Sequence, residues 1–227
     1  DFLMLVIVDK TENTYSFLQF NRDTMTEVAL IDHNGEGEAT ANIQLCTAHW
    51  YGGNREQSCE NTVKSVKKLL GGIQIDGYYE LNMSEIPKLN SMVDGVTVTL
   101  EDDFSKKISK NEEGSYNKPW WWAGLCIRSW PLWSWGWREY ITNEKTTTVH
   151  DRVFKKLQEK VKANPNYANE VFESLQDVST TDIAIGKISN ISNIFASGTD
   201  KGIFQLAGKS KIGQALGDEM DHMEFLC

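Results

Sequence analysis

This chain has no excess of positive charge. Its 23 Lys and Arg stand against 32 Asp and Glu, a formal net charge of −9, which excludes the broad basic footprint of a nucleic-acid binder. A local basic pocket for a phosphate-bearing ligand stays open. No apolar run is long and clean enough to be a membrane span, and the start at Asp1, straight into an apolar run without a signal-peptide pattern, is expected to follow a removed N-terminal part. The four cysteines form no CxxC pair and no zinc-like spacing with histidine, so the scattered His33, His49, His150 and His222 are expected to be incidental. The glycine pairs at Gly52-Gly53 and Gly71-Gly72, and the stretch at residues 35–37, fit neither a P-loop nor a dinucleotide fingerprint. No nucleophile elbow is found.

What is present reads as an ordinary globular protein. Of 227 residues, 40% are hydrophobic and 24% charged, enough for one domain with a sizeable core. Residues 2–8 (FLMLVIV) read as a buried strand, residues 9–13 as a turn, and residues 15–20 as a second strand closing a hairpin. A helix is expected over residues 41–50. A stronger one is expected over residues 60–70, where Val63, Val66, Leu69 and Leu70 share a face and Gly71 stops it. Residues 78–81 and 96–100 read as strands, with a short helix over 84–92 capped by Ser84. Further on, Phe154, Leu157 and Val161 are spaced for a helix ending before Pro165. A second helix is expected over 167–175, and a third over 183–194, capped from residues 179–182. Residues 203–206 read as a late strand. Interleaved strands and helices give an α/β class, arranged α-β-α: a single domain, residues 1–227, with a central mixed sheet flanked by helices. Cys46 and Cys59 flank a glycine-rich loop, and a disulfide and two unlinked thiols remain equal alternatives.

Three residues stand out for chemistry. A hairpin brings the start of one strand beside the end of its partner. Asp1 begins the first strand, and Arg22-Asp23 follows the second, so all three can meet at one sheet edge. A carboxylate there suits Mg²⁺, which takes a few carboxylates plus phosphate oxygens. An arginine suits bidentate phosphate binding. A plain salt bridge at a strand end is the alternative.

One segment does not fit. Seven of the eight tryptophans lie between Trp120 and Trp137, in KPWWWAGLCIRSWPLWSWGW, which follows no helical or strand period. Residues 127–151, read one base later with suitable synonymous codons, permit FVRGRYGLGDGENISRMKRQQQYMT. Each Trp, with its single codon, becomes glycine, and a glycine-rich loop becomes a tryptophan cluster.

DFLMLVIVDKTENTYSFLQFNRDTMTEV, then YGGNREQSCENTVKSVKKLLGGIQIDGYYELNM, then MVDGVTVTLEDDFS, resembles the LytR-CpsA-Psr family of bacterial cell-envelope proteins. The likeness is close over residues 1–105 and resumes more weakly from Phe154. The family's next signature is an R-x-R strand end, a Gly/Asp loop and a helix with R-x-x-R-Q, which the shifted reading supplies and the actual residues 117–153 do not. The resemblance implies an enzyme that moves a glycopolymer (teichoic acid or capsular polysaccharide) from a polyprenyl-pyrophosphate carrier to peptidoglycan, with Mg²⁺ or Mn²⁺ as cofactor. It implies Asp1 as metal ligand, Arg22 as pyrophosphate contact and catalytic group, and Asp23 in support. It also implies an extracellular domain held to the membrane by an N-terminal anchor preceding Asp1, with no nucleic-acid partner. The arginines that the family needs fall where Ser129, Pro131, Thr142 and Lys145 stand, so this chain is expected to be impaired. A non-catalytic polyprenyl-phosphate binder is the alternative.

Overall fold

A computed structural model describes residues 2–37, 39–96, 143–213 and 223–226. They form two compact units, Asp1–Asn82 with Val161–Cys227, and Met83–Lys160.

The first unit is built on a three-stranded mixed sheet in the order β1 (Leu3–Asp9), β2 (Thr14–Phe20), β7 (Thr199–Gln205). β1 and β2 are the expected hairpin, antiparallel, with Leu3 opposite Phe20 and Asp9 opposite Thr14. β7 joins β2 in parallel, with Phe17 opposite Ile203. The sheet separates two apolar layers because β2 alternates strictly. Its odd-numbered side chains, Tyr15 and Phe17, are each 1% exposed. They pack on Phe195 of helix α5 (Ile185–Ser197), Tyr15 tilted and Phe17 edge-on, with ring centroids 4.6 and 5.7 Å away. Its even-numbered side chains, Leu18 and Phe20, join Leu3 and Leu5 of β1 against Val66 and Leu69 of helix α1 (Arg55–Leu69). Helices therefore cover the sheet from both sides, in the expected α-β-α order. β1 is less buried than its composition suggests: Val6 and Ile7 are 40% and 45% exposed. Among the described residues it is an edge strand, paired only with β2.

Local chemistry explains the limits of α1. Asn54, in extended backbone, accepts a hydrogen bond from Gln57 N at 2.9 Å, and Gln57 Oε1 accepts from Gly53 N at 2.8 Å. The first bond satisfies a donor that the first turn leaves open, and the second ties the preceding loop to that turn. Lys67 and Lys68 sit in the last turn, where positive charge complements the helix dipole. Gly71, at φ +74°, ends the helix in the left-handed region that glycine adopts without strain.

Three local expectations differ from the structure. Residues 41–50 are not one helix but strand β4 (Thr40–Gln44) followed by a 3-10 segment, Leu45–Trp50. β4 pairs antiparallel with β3 (Met25–Ala29), which was not expected, and the pairing captures residues with only weak helical character of their own. Ser84 is not the N-cap, since a 3-10 turn (Met83–Glu85) leads into α2 (Ile86–Met92) and Glu85 holds the cap position. Residues 179–181 form β6 (Ser179–Thr181), paired with β5 (Tyr79–Leu81), rather than a cap, and α5 begins two residues later than expected. The helices α3 (Asn143–Ala163) and α4 (Tyr167–Leu175) appear where expected. Two further strands, β8 (Ser210–Gly213) and β9 (Met223–Leu226), form a ladder. The strand expected over 96–100 falls mostly outside the described residues.

The second unit has its own small core. Val93 and Val96 pack with Val153 and Leu157 of α3 and with Ile86 and Leu89 of α2. Lys156 Nζ donates to Gly95 O at 2.8 Å, and Lys160 pairs with Asp94 at 2.7 Å.

Candidate functional site

The turn after β2 carries Arg22 and Asp23, the candidates that the sequence offers for holding phosphate, and hydrogen bonds tie that turn in place. Asn21 organises it: its side-chain oxygen accepts from Asp23 N at 2.8 Å, and its carbonyl accepts from Thr24 Oγ1 at 2.7 Å. The 3-10 segment then closes over the turn. Cys46 N donates to Arg22 O at 3.0 Å and Leu45 N to Thr24 O at 2.8 Å. The backbone of residues 22–24 is thus fixed from two directions.

Arg22 and Asp23, neighbours in the chain, also meet through their side chains. Arg22 Nε lies 3.7 Å from Asp23 Oδ1, with the side chains 21% and 15% exposed. Gln44 Nε2 donates to the same Oδ1 at 2.7 Å. A terminal guanidinium nitrogen of Arg22 lies 3.7 Å from Cys46 Sγ. Burial pushes the Cys46 thiol above its ordinary range, and the Arg22 charge partly opposes that. Gln44 and Cys46 were not expected here. Their signal in the sequence is faint, because it depends on β4 ending where the 3-10 segment turns back toward Arg22. Asp1 lies outside the described residues.

This arrangement suits an anion better than a cation. Arg22 is a partly exposed guanidinium whose reach is limited by Asp23 and Cys46, and such a group grips phosphate oxygens. Asp23 is a hard oxygen donor of the kind Mg²⁺ takes, but its Oδ1 already receives Gln44 and faces Arg22. Among the described residues of this turn it is the one carboxylate. An open cleft of about 790 Å³ lies elsewhere in this unit, between Phe172, Ser179 and Ile185, and neither Arg22 nor Asp23 lines it.

Residues 1–119 match the LytR_cpsA_psr family, just over half of the chain and the whole of the hairpin and its turn. The chain belongs to this family. Membership carries a coarse reading with it, a cell-envelope protein of a transferase family. The match ends at Pro119, one residue before the tryptophan cluster. No curated protein sequence matches the chain. Solved structures share the fold at low identity. Protein gbs0355 from Streptococcus agalactiae superposes with a TM-score of 0.66 at 17% identity, over 99% of this chain and 73% of that one. TagV of B. subtilis gives 0.62 at 16% identity, over 100% and 82%. TagT, in a structure described as bound to LIIa-WTA, gives 0.60 at 18% identity, over 99% and 77%. The mixed sheet between helices is therefore the LytR_cpsA_psr fold.

Proposed function

We propose that this protein is built to bind a polyprenyl-pyrophosphate-linked glycopolymer at the Arg22 turn and to pass the polymer to peptidoglycan. The observation that carries the reading is the clamped Arg22–Asp23 pair at the end of β2, inside the part of the chain that matches the family. The β1–β2 register strengthens it: Leu3 faces Phe20, Asp1 stands two residues before Leu3, and Arg22 two after Phe20. TagT, which shares the fold, is described with LIIa-WTA bound, which is consistent with a glycopolymer carrier as ligand.

In this reading Arg22 grips pyrophosphate oxygens while Asp23, held by Gln44, fixes the direction of the guanidinium. Phosphoryl transfer depends mainly on positioning and charge neutralisation. A hydroxyl of peptidoglycan, the muramic-acid C6 hydroxyl, attacks the phosphorus attached to the polymer. An oxygen–phosphorus bond forms, the pyrophosphate bridge breaks, the hydroxyl proton goes to solvent, and polyprenyl phosphate leaves. Mg²⁺ or Mn²⁺ bound at Asp1 would add positive charge at the same phosphates. The domain would work on the extracellular face of the cell membrane, held by an anchor before Asp1.

The second reading, binding without transfer, is favoured by one observation. The family match stops at residue 119, and the positions where the family's later arginines belong carry Ser129, Pro131, Thr142 and Lys145. Losing several guanidiniums together removes most of the charge stabilisation. Purified protein should therefore bind polyprenyl pyrophosphate but transfer glycopolymer at or near background. Ordinary turnover would show that the altered segment is not needed, and absence of Arg22-dependent binding would sink the whole reading.

A further inference from the structure

Three side chains of metal-ligand type converge from three elements. His49 comes from the 3-10 segment, Cys59 from α1 and Glu80 from β5. One ligand atom from each can be chosen so that all three lie within 4.8 Å of one another. None of the three belongs to the Arg22–Asp23–Gln44 cluster, and nothing in the pyrophosphate reading uses them. We propose that His49, Cys59 and Glu80 bind one Zn²⁺ through imidazole, thiolate and carboxylate, with water as the fourth ligand.

The geometry is close to what zinc needs. At bond lengths of about 2.0–2.3 Å, a tetrahedral zinc holds its ligand atoms roughly 3.3–3.7 Å apart. His49 Nε2 and Cys59 Sγ already stand 3.8 Å apart. The pair is fixed by backbone: Cys59 is 4% exposed, on the second turn of a capped helix. The chain folds back from His49 to that helix through Gly52, where a Cβ would lie 2.7 Å from Ser58 N. Glu80 closes the set by a modest side-chain movement. Its Oε2 is held by Arg55 at 2.5 Å, and a ligating carboxylate is commonly oriented by such a neighbour.

The Glu80 carboxylate brings negative charge into the set, and Arg55 beside it orients that carboxylate. Zinc binding takes the Cys59 thiol to a thiolate, and the displaced proton leaves to solvent as the zinc–sulfur bond forms. The donor set selects the metal: thiolate with imidazole suits Zn²⁺, whereas Mg²⁺ takes oxygen ligands. The ion would pin the 3-10 segment, α1 and β5 to one another.

The test uses chelator-treated full chain titrated with Co²⁺, then Zn²⁺. One equivalent of Co²⁺ should give a thiolate-to-cobalt charge-transfer band with tetrahedral visible bands, and Zn²⁺ should displace it and raise the Tm. His49→Ala and Glu80→Gln should each weaken Zn²⁺ binding at least tenfold with unchanged circular dichroism. Cys59→Ser should abolish the charge-transfer band, and the other two variants keep the test valid if that one does not fold. An absent charge-transfer band overturns the proposal, as does unchanged affinity in both His49→Ala and Glu80→Gln. So does a Cys46–Cys59 cross-linked peptide from the unreduced native protein. None of these results bears on Arg22-dependent lipid binding, so the two readings stand or fall separately.

Discussion

Gln44 Nε2 donates to Asp23 Oδ1 across 2.7 Å, tying the last residue of β4 to the turn that follows β2. The bond makes the β3–β4 pair a support for the turn that carries Arg22. Gln44 is 8% exposed, so its loss is not repaired by water. Gln44→Ala should cost about 1.5–3 kcal/mol of stability, the range for a hydrogen bond to a charged group, read as a lower urea midpoint. It should also weaken polyprenyl-pyrophosphate binding, though less than loss of Arg22 does. Unaltered binding in a folded Gln44→Ala variant would separate Asp23 from the site.

Arg22 should matter for binding far more than for folding. Its side chain is 21% exposed and its ion-pair partner lies at 3.7 Å, a weak pair by the usual standards of such contacts. Arg22→Ala should lower affinity for polyprenyl pyrophosphate by roughly tenfold to a hundredfold, the worth of charge-assisted bonds to phosphate, with the Tm little changed. Arg22→Lys should recover only part, because an ammonium lacks the planar fork. Titration by fluorescence or calorimetry distinguishes the three proteins, and equal affinities would remove Arg22 from the site.

The Cys46 thiol should report on Arg22. Burial raises it and the guanidinium lowers it, so Arg22→Ala should raise it further. Alkylation of Cys46, mapped by mass spectrometry, should be slow at pH 8 in the native protein and slower still in Arg22→Ala. The linkage has a definite sign. A thiol whose folded value is raised keeps its proton after the unfolded chain has lost its own, so its contribution to stability is complete below the ordinary thiol range and fades as pH climbs above it. Faster alkylation in Arg22→Ala would contradict this contact.

Asn61 holds together the frame behind the site. It is fully buried on α1, and the two hydrogens of its Nδ2 are shared among Ala29 O at 2.9 Å, Ala48 O at 3.0 Å and Tyr51 O at 3.3 Å. One amide thereby links α1 to β3, to the 3-10 segment and to the loop after it. Asn61→Ala leaves those carbonyls short of a donor and should cost about 2–4 kcal/mol. Asn61→Asp should cost more, because it sets a carboxylate against carbonyl oxygens. Urea unfolding of both variants decides the ranking.

The elements legible in the sequence were those with a strong period and local stop signals. The β1–β2 hairpin, α1 with Asn54 and Gly71, and α3 ending before Pro165 are all of this kind. β3 was not legible: its buried alternation rests on Thr26 and Val28 alone. β6 was hidden for another reason, since Ser179–Thr181 acquires its strand character from pairing with Tyr79–Leu81, far away in the chain. The same holds for the clusters. Arg22 and Asp23 are adjacent in sequence and were visible. Gln44 reaches Asp23, and Glu80 reaches His49 and Cys59, only through tertiary pairing. No spacing rule announces such sets.

Replacing residues 127–151 with FVRGRYGLGDGENISRMKRQQQYMT should restore what the present segment lacks. Most of these residues lie outside the described ones, and the case rests on sequence: the family match stops at Pro119, and the shifted text supplies arginines at the four positions now held by Ser129, Pro131, Thr142 and Lys145. It also turns Trp130, Trp133, Trp135 and Trp137 into glycines and Gly136 into aspartate, converting large indoles that need buried surface into a loop that needs none. The exchanged protein should resist urea better than the present chain and should transfer glycopolymer well above background, with the gain abolished by Arg22→Ala. Sequencing the gene across these codons asks the same question at its source. An exchanged protein that folds, binds the lipid and still transfers nothing would count against the shifted reading and leave the chain a binder only.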